Sequence, residues 1–259
     1  DMYEKITNSS PWEEPMMIYP AIHYTMGGIW VDYDLQTTIP GLYAIGEANF
    51  SDHGGNRLGA SALMQGLADG YFILPVTIGD YLSKKFSEPK TDVNTPEFAE
   101  AEKAVQARID RLFAVNGTEP VDAIHKQLGH IMWEYVGMAR DEQGLKKALV
   151  EIDELQKKFY ETVKVTGSQY EFNQELEKAL RLEDFFEIGK LMANDALHRK
   201  ESCGGHFRVE SQTEEGEAKR DDKNFMYVSA WEYKGENAEP EYHKEPLKYE
   251  NIKIATRNY

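Results

Sequence analysis

Gly41-Leu42-Tyr43-Ala44-Ile45-Gly46-Glu47-Ala48 is followed by a glycine-rich stretch, Asp52-His53-Gly54-Gly55-Asn56-Arg57-Leu58-Gly59, and then by Ala60-Ser61-Ala62-Leu63-Met64-Gln65-Gly66-Leu67-Ala68-Asp69-Gly70-Tyr71. The order is strand, loop, helix. Leu42 to Ile45 is a short apolar patch behind the Pro40-Gly41 punctuation, as a strand requires, and the small and apolar residues after Gly59 suit a buried helix. A helix that begins at Ala60 or Ser61 presents unpaired amides and about half a positive charge at its N-terminus, a seat for an anion or an electron-rich ring. Arg57 stands just ahead of it, and a guanidinium fork matches a carboxylate. A surface arginine ahead of a buried helix is the plainer alternative. Glu47 ends the apolar strand, where an acid can accept hydrogen bonds from a ribose diol, although acids are common at strand ends.

Upstream, Met16-Met17-Ile18-Tyr19 and Ile29-Trp30-Val31-Asp32-Tyr33-Asp34 read as further short strands. Between them lies His23-Tyr24-Thr25-Met26-Gly27-Gly28. A histidine at a strand end followed by two glycines sets an imidazole beside backbone that another group approaches closely. It could equally be satisfied inside a β-hairpin.

Downstream, apolar residues recur at helical spacing. Thr95-Pro96 opens a helix to about Val115, Pro120 a second to about Met138, Asp141 a third through Phe159, and a fourth spans about Phe172 to His198. Together they predict an antiparallel bundle. The last 55 or so residues mix charge runs with apolar patches, Phe225-Met226-Tyr227-Val228 and Ile252-Lys253-Ile254, and predict an irregular, strand-containing tail with a solvated loop near 211–224.

The 259 residues carry 29 Lys+Arg and 45 Asp+Glu, a formal charge of −16. Such a field repels polyanions, which argues against a nucleic-acid partner. Cys203 is the single cysteine; no disulfide can form within the chain, no CxxC is present for zinc or an iron–sulfur cluster, and no metal site is expected. The longest apolar run, near Tyr71 to Ile78, is far shorter than a membrane span and is broken by Pro75 and Thr77. The chain opens Asp1-Met2-Tyr3 without the basic and apolar regions of a signal peptide.

The three motifs at 23–28, 41–48 and 53–59, in this order and spacing, resemble the flavoprotein subunits of succinate dehydrogenase and fumarate reductase. Glu201-Ser202-Cys203-Gly204-Gly205-His206 and Arg220-Asp221-Asp222 are similar to two later signatures of that family, with Cys203 where an arginine is usual and Ser61-Ala62-Leu63 where Asn-Ser-Leu is common. The resemblance implies substrate-binding roles for His23 and Arg57, which would grip the carboxylates of succinate or fumarate. It implies cofactor-binding roles for Glu47, on the FAD ribose, and for Ala62 and Leu63, whose amides would meet the flavin ring. The family's Gly-x-Gly-x-x-Gly loop, its histidine bonded covalently to FAD and its proton-shuttling arginine have no counterpart here, so no catalytic residue is assigned within the chain. The resemblance thus implies an α+β multidomain fold in a C-terminal portion: the end of a capping region over 1–11, the C-terminal part of a split Rossmann-like FAD-binding domain over 12–80, a helical bundle over 81–200 and a small irregular domain over 201–259. It also implies an iron–sulfur subunit and a membrane anchor as partners, a role in the tricarboxylic acid cycle and electron transport, and a peripheral place on the cytoplasmic or matrix side of an energy-transducing membrane. The net charge does not bar a dianionic substrate, because charges more than about 8 Å away are screened at physiological salt. Two other readings stand beside this one: a flavoenzyme like L-aspartate oxidase, and a non-catalytic helical assembly domain.

Overall fold

A computed structural model describes residues 2–17, 23–50, 53, 55, 57, 59–235 and 238–255. Ile18 and Tyr19, and Asp52, Gly54, Asn56 and Leu58 of the glycine-rich stretch, lie outside them.

A short helix, α1 (Met2–Thr7), opens the described chain. The first zone then departs from the sequence expectation. The strands predicted at 29–34 and 42–45 appear only as single bridges, Ile29 parallel to Asn49 and Gln36 antiparallel to Tyr43, and Met16 and Met17 belong to no strand. Strands this short need neighbours on both sides to build a ladder, and the described residues offer too few. What organises the zone is a turn and a small core. The Asp32 carboxylate accepts from the amides of Asp34 (2.9 Å) and Gln36 (3.0 Å), while Val31, Leu35 and Ala44 are buried together under Phe50 and Ile73.

The predicted helix forms and runs further than expected: α2 (Ser61–Ala68), a π-helical turn over Asp69–Ile73, then α3 (Leu74–Lys85). Pro75 does not stop it. The wide turn ahead of α3 places Pro75 in a first helical turn, where a missing N–H breaks no helical bond.

The four predicted helices are α4 (Pro96–Ala114), α5 (Val121–Val136), α6 (Glu142–Thr162) and α7 (Gln174–His198). Asp141 caps α6 by accepting from the Gly144 amide at 2.8 Å, and Asn173 caps α7 by accepting from Leu176 at 3.0 Å. Side-chain pairs give the directions. Lys158 near the end of α6 reaches Gln127 early in α5 and Glu119 ahead of it. Lys190 late in α7 reaches Asp153 of α6, and Glu183, earlier in α7, reaches Tyr160, later in α6. Helix α6 is therefore antiparallel to both neighbours. Their shared core includes Ile124, Leu145, Ile152, Phe159, Leu182 and Phe186, all at 0–1% exposure. Two residues before α5, β1 (Glu119–Pro120), pair in parallel with two after α6, β2 (Val163–Lys164).

In the tail, α8 (Asp222–Phe225) leads into an antiparallel hairpin of β3 (Tyr227–Glu232) and β4 (Glu241–Pro246). The Tyr227–Val228 patch is thus a strand. Ile252 to Ile254 forms none, and both isoleucines are exposed.

Candidate functional site

Gly28 lets two of the motifs meet. A Cβ there would lie 2.5 Å from the Asn49 carbonyl oxygen and 2.6 Å from that of Ala48, so only glycine permits this approach. The Ile29 amide then donates to Ala48 O (2.9 Å) and the Phe50 amide to Ile29 O (2.8 Å). Behind this seam lies a polar knot. Asp69 and Asn49, 5% and 2% exposed, are bound together: Asp69 Oδ2 accepts from the Gly46 amide at 2.9 Å and from Asn49 Nδ2 at 3.3 Å. Gln65 Nε2 donates to Asn49 Oδ1 at 2.9 Å and to Gly46 O at 3.4 Å. The knot ties the 3₁₀ turn Gly46–Ala48 to α2, and Glu47 sits exposed on that turn. Sequence reasoning singled out Glu47 and missed its supports; the one signal was an acid, Asp69, inside an otherwise apolar run.

Helix α2 begins at Ser61 behind Ala60, which takes a left-handed conformation (φ 63°) and supplies no side-chain cap. The Met64 amide makes a 3.3 Å bond to Ala60 O. The amides of Ala62 and Leu63 lie ahead of it, in the first turn, where the helix itself supplies no acceptor. Ala62 is buried and the Leu63 side chain is exposed. The third motif reaches the first at the same place. The Arg57 guanidinium lies over the Tyr24 ring, 4.9 Å from its centroid, and the His53 ring meets Tyr24 edge-on at 5.9 Å. Ser61 Oγ lies 3.5 Å from His53 Nδ1. His23, next to Tyr24, is exposed. The start of α2, Arg57, and the Tyr24 that adjoins His23 thus form one locality, with a cation beside the N-terminus of a helix. Such a place binds carboxylates and other electron-rich groups.

The later motifs fall into two kinds. Asp221 caps α8 by accepting from the Asn224 amide at 3.2 Å, and Arg220 pairs with Asp222 at 2.6 Å, so this stretch serves the local fold. Cys203 is half-buried, and burial pushes its thiol pKa up. It opens a turn that touches Gly55 through a 3.0 Å bond from the Gly205 amide to Gly55 O. His206, closing the turn, has both ring nitrogens occupied: Nε2 donates to Arg199 O and Nδ1 accepts from Arg140 Nη1, each at 2.8 Å. Burial, reinforced by the Arg140 and Arg208 charges, lowers its pKa to about 4, so the ring is neutral. On the hairpin, Glu232, Glu241 and His243 gather at the surface, and Lys234 already neutralises the two acids at 2.8 and 2.7 Å.

Residues 125–259 match a family model described as the C-terminal part of fumarate reductase flavoproteins, and residues 2–63 match an FAD-binding domain. The chain is 32% identical over 251 residues to the fumarate reductase flavoprotein subunit of Haemophilus influenzae, covering 96% of this chain and 40% of that protein. It is 33% identical over 208 residues to the succinate dehydrogenase flavoprotein subunit of Bacillus subtilis, covering 80% of this chain and 35% of the relative. A solved Escherichia coli quinol fumarate reductase superposes with a TM-score of 0.81 at 28% identity, over 98% of this chain and 42% of that one. An L-aspartate oxidase of Synechocystis is more distant, at 28% over 77% of this chain. The chain thus spans about two fifths of the length of the curated relatives it matches.

Proposed function

The chain belongs to the fumarate reductase and succinate dehydrogenase flavoprotein family, and on that premise we propose that it supplies one side of a site that interconverts succinate and fumarate. The observation that carries this is the meeting of Arg57 with Tyr24, beside His23, at the start of α2.

The residues present fit FAD: α2 opens behind Ala60, which supplies no side-chain cap to the Ala62 and Leu63 amides, and an exposed carboxylate stands on the neighbouring turn. Glu47 would hold the ribose diol, and the Ala62 and Leu63 amides would face the electron-rich edge of the flavin. When bound, FAD supplies a two-electron acceptor or donor. The chain's own residues position the partner. Arg57 grips one carboxylate through two parallel hydrogen bonds, and His23 meets the other, fixing the carbon that gives or takes a hydride. The proton that accompanies the hydride is assigned to no residue of this chain.

Leu63, Met64, Tyr71, Phe72 and Val76 leave apolar surface exposed along α2, the π-helical turn and α3, at 63–78%, which the remainder of an FAD-binding domain would cover. Electrons would pass to an iron–sulfur subunit and on to a membrane-anchored quinone site in respiratory electron transport and the tricarboxylic acid cycle. No helix among the described residues is long and apolar enough to cross a membrane, and the proposed place is peripheral, on the cytoplasmic or matrix side.

The test is steady-state succinate oxidation by the complete flavoprotein carrying His23→Ala or Arg57→Ala. Loss of about 2–4 kcal/mol of transition-state stabilisation, roughly thirtyfold to a thousandfold in kcat/KM, is expected for each, with FAD content unchanged. Wild-type rates in Arg57→Ala would overturn the assignment.

A further inference from the structure

We infer that the Cys203–His206 turn is a positioning device for Arg57, holding the arginine's loop against the helical bundle through Gly55. The inference rests on Arg57 being the carboxylate grip. Gly55 lies two residues before Arg57 and is flush against the turn: its carbonyl accepts the Gly205 amide at 3.0 Å, and a Cβ added to it would meet Cys203 Sγ at 2.9 Å and Cys203 O at 3.2 Å.

The turn is itself rigidly closed. The Cys203 amide donates to His206 O at 2.9 Å and the His206 amide to Cys203 O at 3.1 Å. From there the support runs into the bundle: His206 Nδ1 accepts from Arg140, whose Nε donates to the Val136 carbonyl at the end of α5 at 3.0 Å, while His206 Nε2 donates to Arg199 O just past α7. A neutral imidazole with both nitrogens used cannot turn without losing a bond. The helical bundle thereby reaches the substrate arginine through Arg140, His206, the turn and Gly55. Glu47, Ala62 and Leu63 are braced separately, by the Asn49–Gln65–Asp69 knot. Disturbing the turn therefore changes dicarboxylate affinity and spares the flavin contacts.

The experiment is a malonate titration of the complete flavoprotein, with FAD content measured on the same samples. Gly55→Ala pushes the loop off the turn and weakens malonate binding about tenfold, the worth of one hydrogen bond to a charged-group site, with FAD content unchanged. Adding Cys203→Ala to Gly55→Ala removes the nearest clashing atom and recovers most of the affinity. His206→Ala, which cuts the turn from α5, weakens malonate in the same way and keeps the test decisive if Gly55→Ala is insoluble. If Arg57→Ala weakens malonate and neither Gly55→Ala nor His206→Ala does, the inference is wrong. Loss of malonate and FAD together, without recovery in the double variant, overturns it as well. Unchanged malonate binding in Arg57→Ala would instead refute the assignment of the site.

Discussion

At the residue scale, the Asp69 carboxylate satisfies a partly buried backbone amide and a buried side-chain amide at once. Asp69→Ala takes this acceptor from the Gly46 amide and leaves Asn49 Nδ2 with the Ala44 carbonyl at 3.3 Å, which costs about 1–3 kcal/mol and loosens the turn that carries Glu47. We predict a lowered melting temperature and weaker FAD retention for Asp69→Ala, and a milder change for Asp69→Asn, which keeps one acceptor. Wild-type FAD retention in Asp69→Ala would show that the knot does not brace the cofactor residues. His23, Glu47 and Arg57 could be singled out from the sequence because the features that mark them, residue type, neighbouring glycines and a helix start, are local; their proposed roles come from the resemblance. Asn49, Gln65 and Asp69 could not be, because each is meaningful only through partners 16 to 23 positions away.

At the element scale, the packing of α4 on α7 turns on Glu183, 5% exposed in the α7 core face. Its carboxylate accepts from Arg108 at 2.7 Å, Arg111 at 2.6 Å and the Tyr160 hydroxyl at 3.0 Å. Burial first, then the Glu183 charge, raise the Tyr160 pKa to about 12. Both arginines are half-exposed and remain solvated without it, so the loss is smaller than for a fully buried pair. Glu183→Ala should destabilise the bundle by about 2–3 kcal/mol, read as a lower denaturant midpoint, with Glu183→Gln in between. A midpoint within error of wild type would mean that α4 docks by its apolar face alone. The helices were readable because their periodicity is written in contiguous residues. The strands were misjudged because pairing depends on neighbours that 29–34 and 42–45 lack among the described residues. The resulting bridges still deliver the motifs to one place.

At the scale of the whole molecule, stability should fall as the medium acidifies, in a window set by His206. Its folded-state pKa, about 4, lies below the ordinary 6.5. The unfolded chain therefore binds the extra proton first, and the folded form loses up to about 3 kcal/mol between pH 6.5 and 4. Arg140 and Arg208 face the ring and deepen the effect, while Asp195 and the Arg199 carbonyl oppose it. His206→Gln should flatten the stability profile across that window, measured by denaturation at stepped pH; an unchanged slope would exclude His206 as its source. Composition had indicated a chain able to bury a core, and the bundle does so. It could not indicate that the apolar surface along α2, the π-helical turn and α3 would remain bare, since nothing in amphipathic spacing distinguishes a side packed within the chain from one awaiting another segment. The most direct test of the central claim, that three separate motifs build one flavin and dicarboxylate half-site, is a fluorescence titration of FAD with the purified 259-residue chain, followed by malonate. Saturable quenching that malonate perturbs, and that Arg57→Ala retains while losing the malonate response, is the predicted result. Absence of quenching at millimolar FAD, or a malonate response indifferent to Arg57, would contradict it.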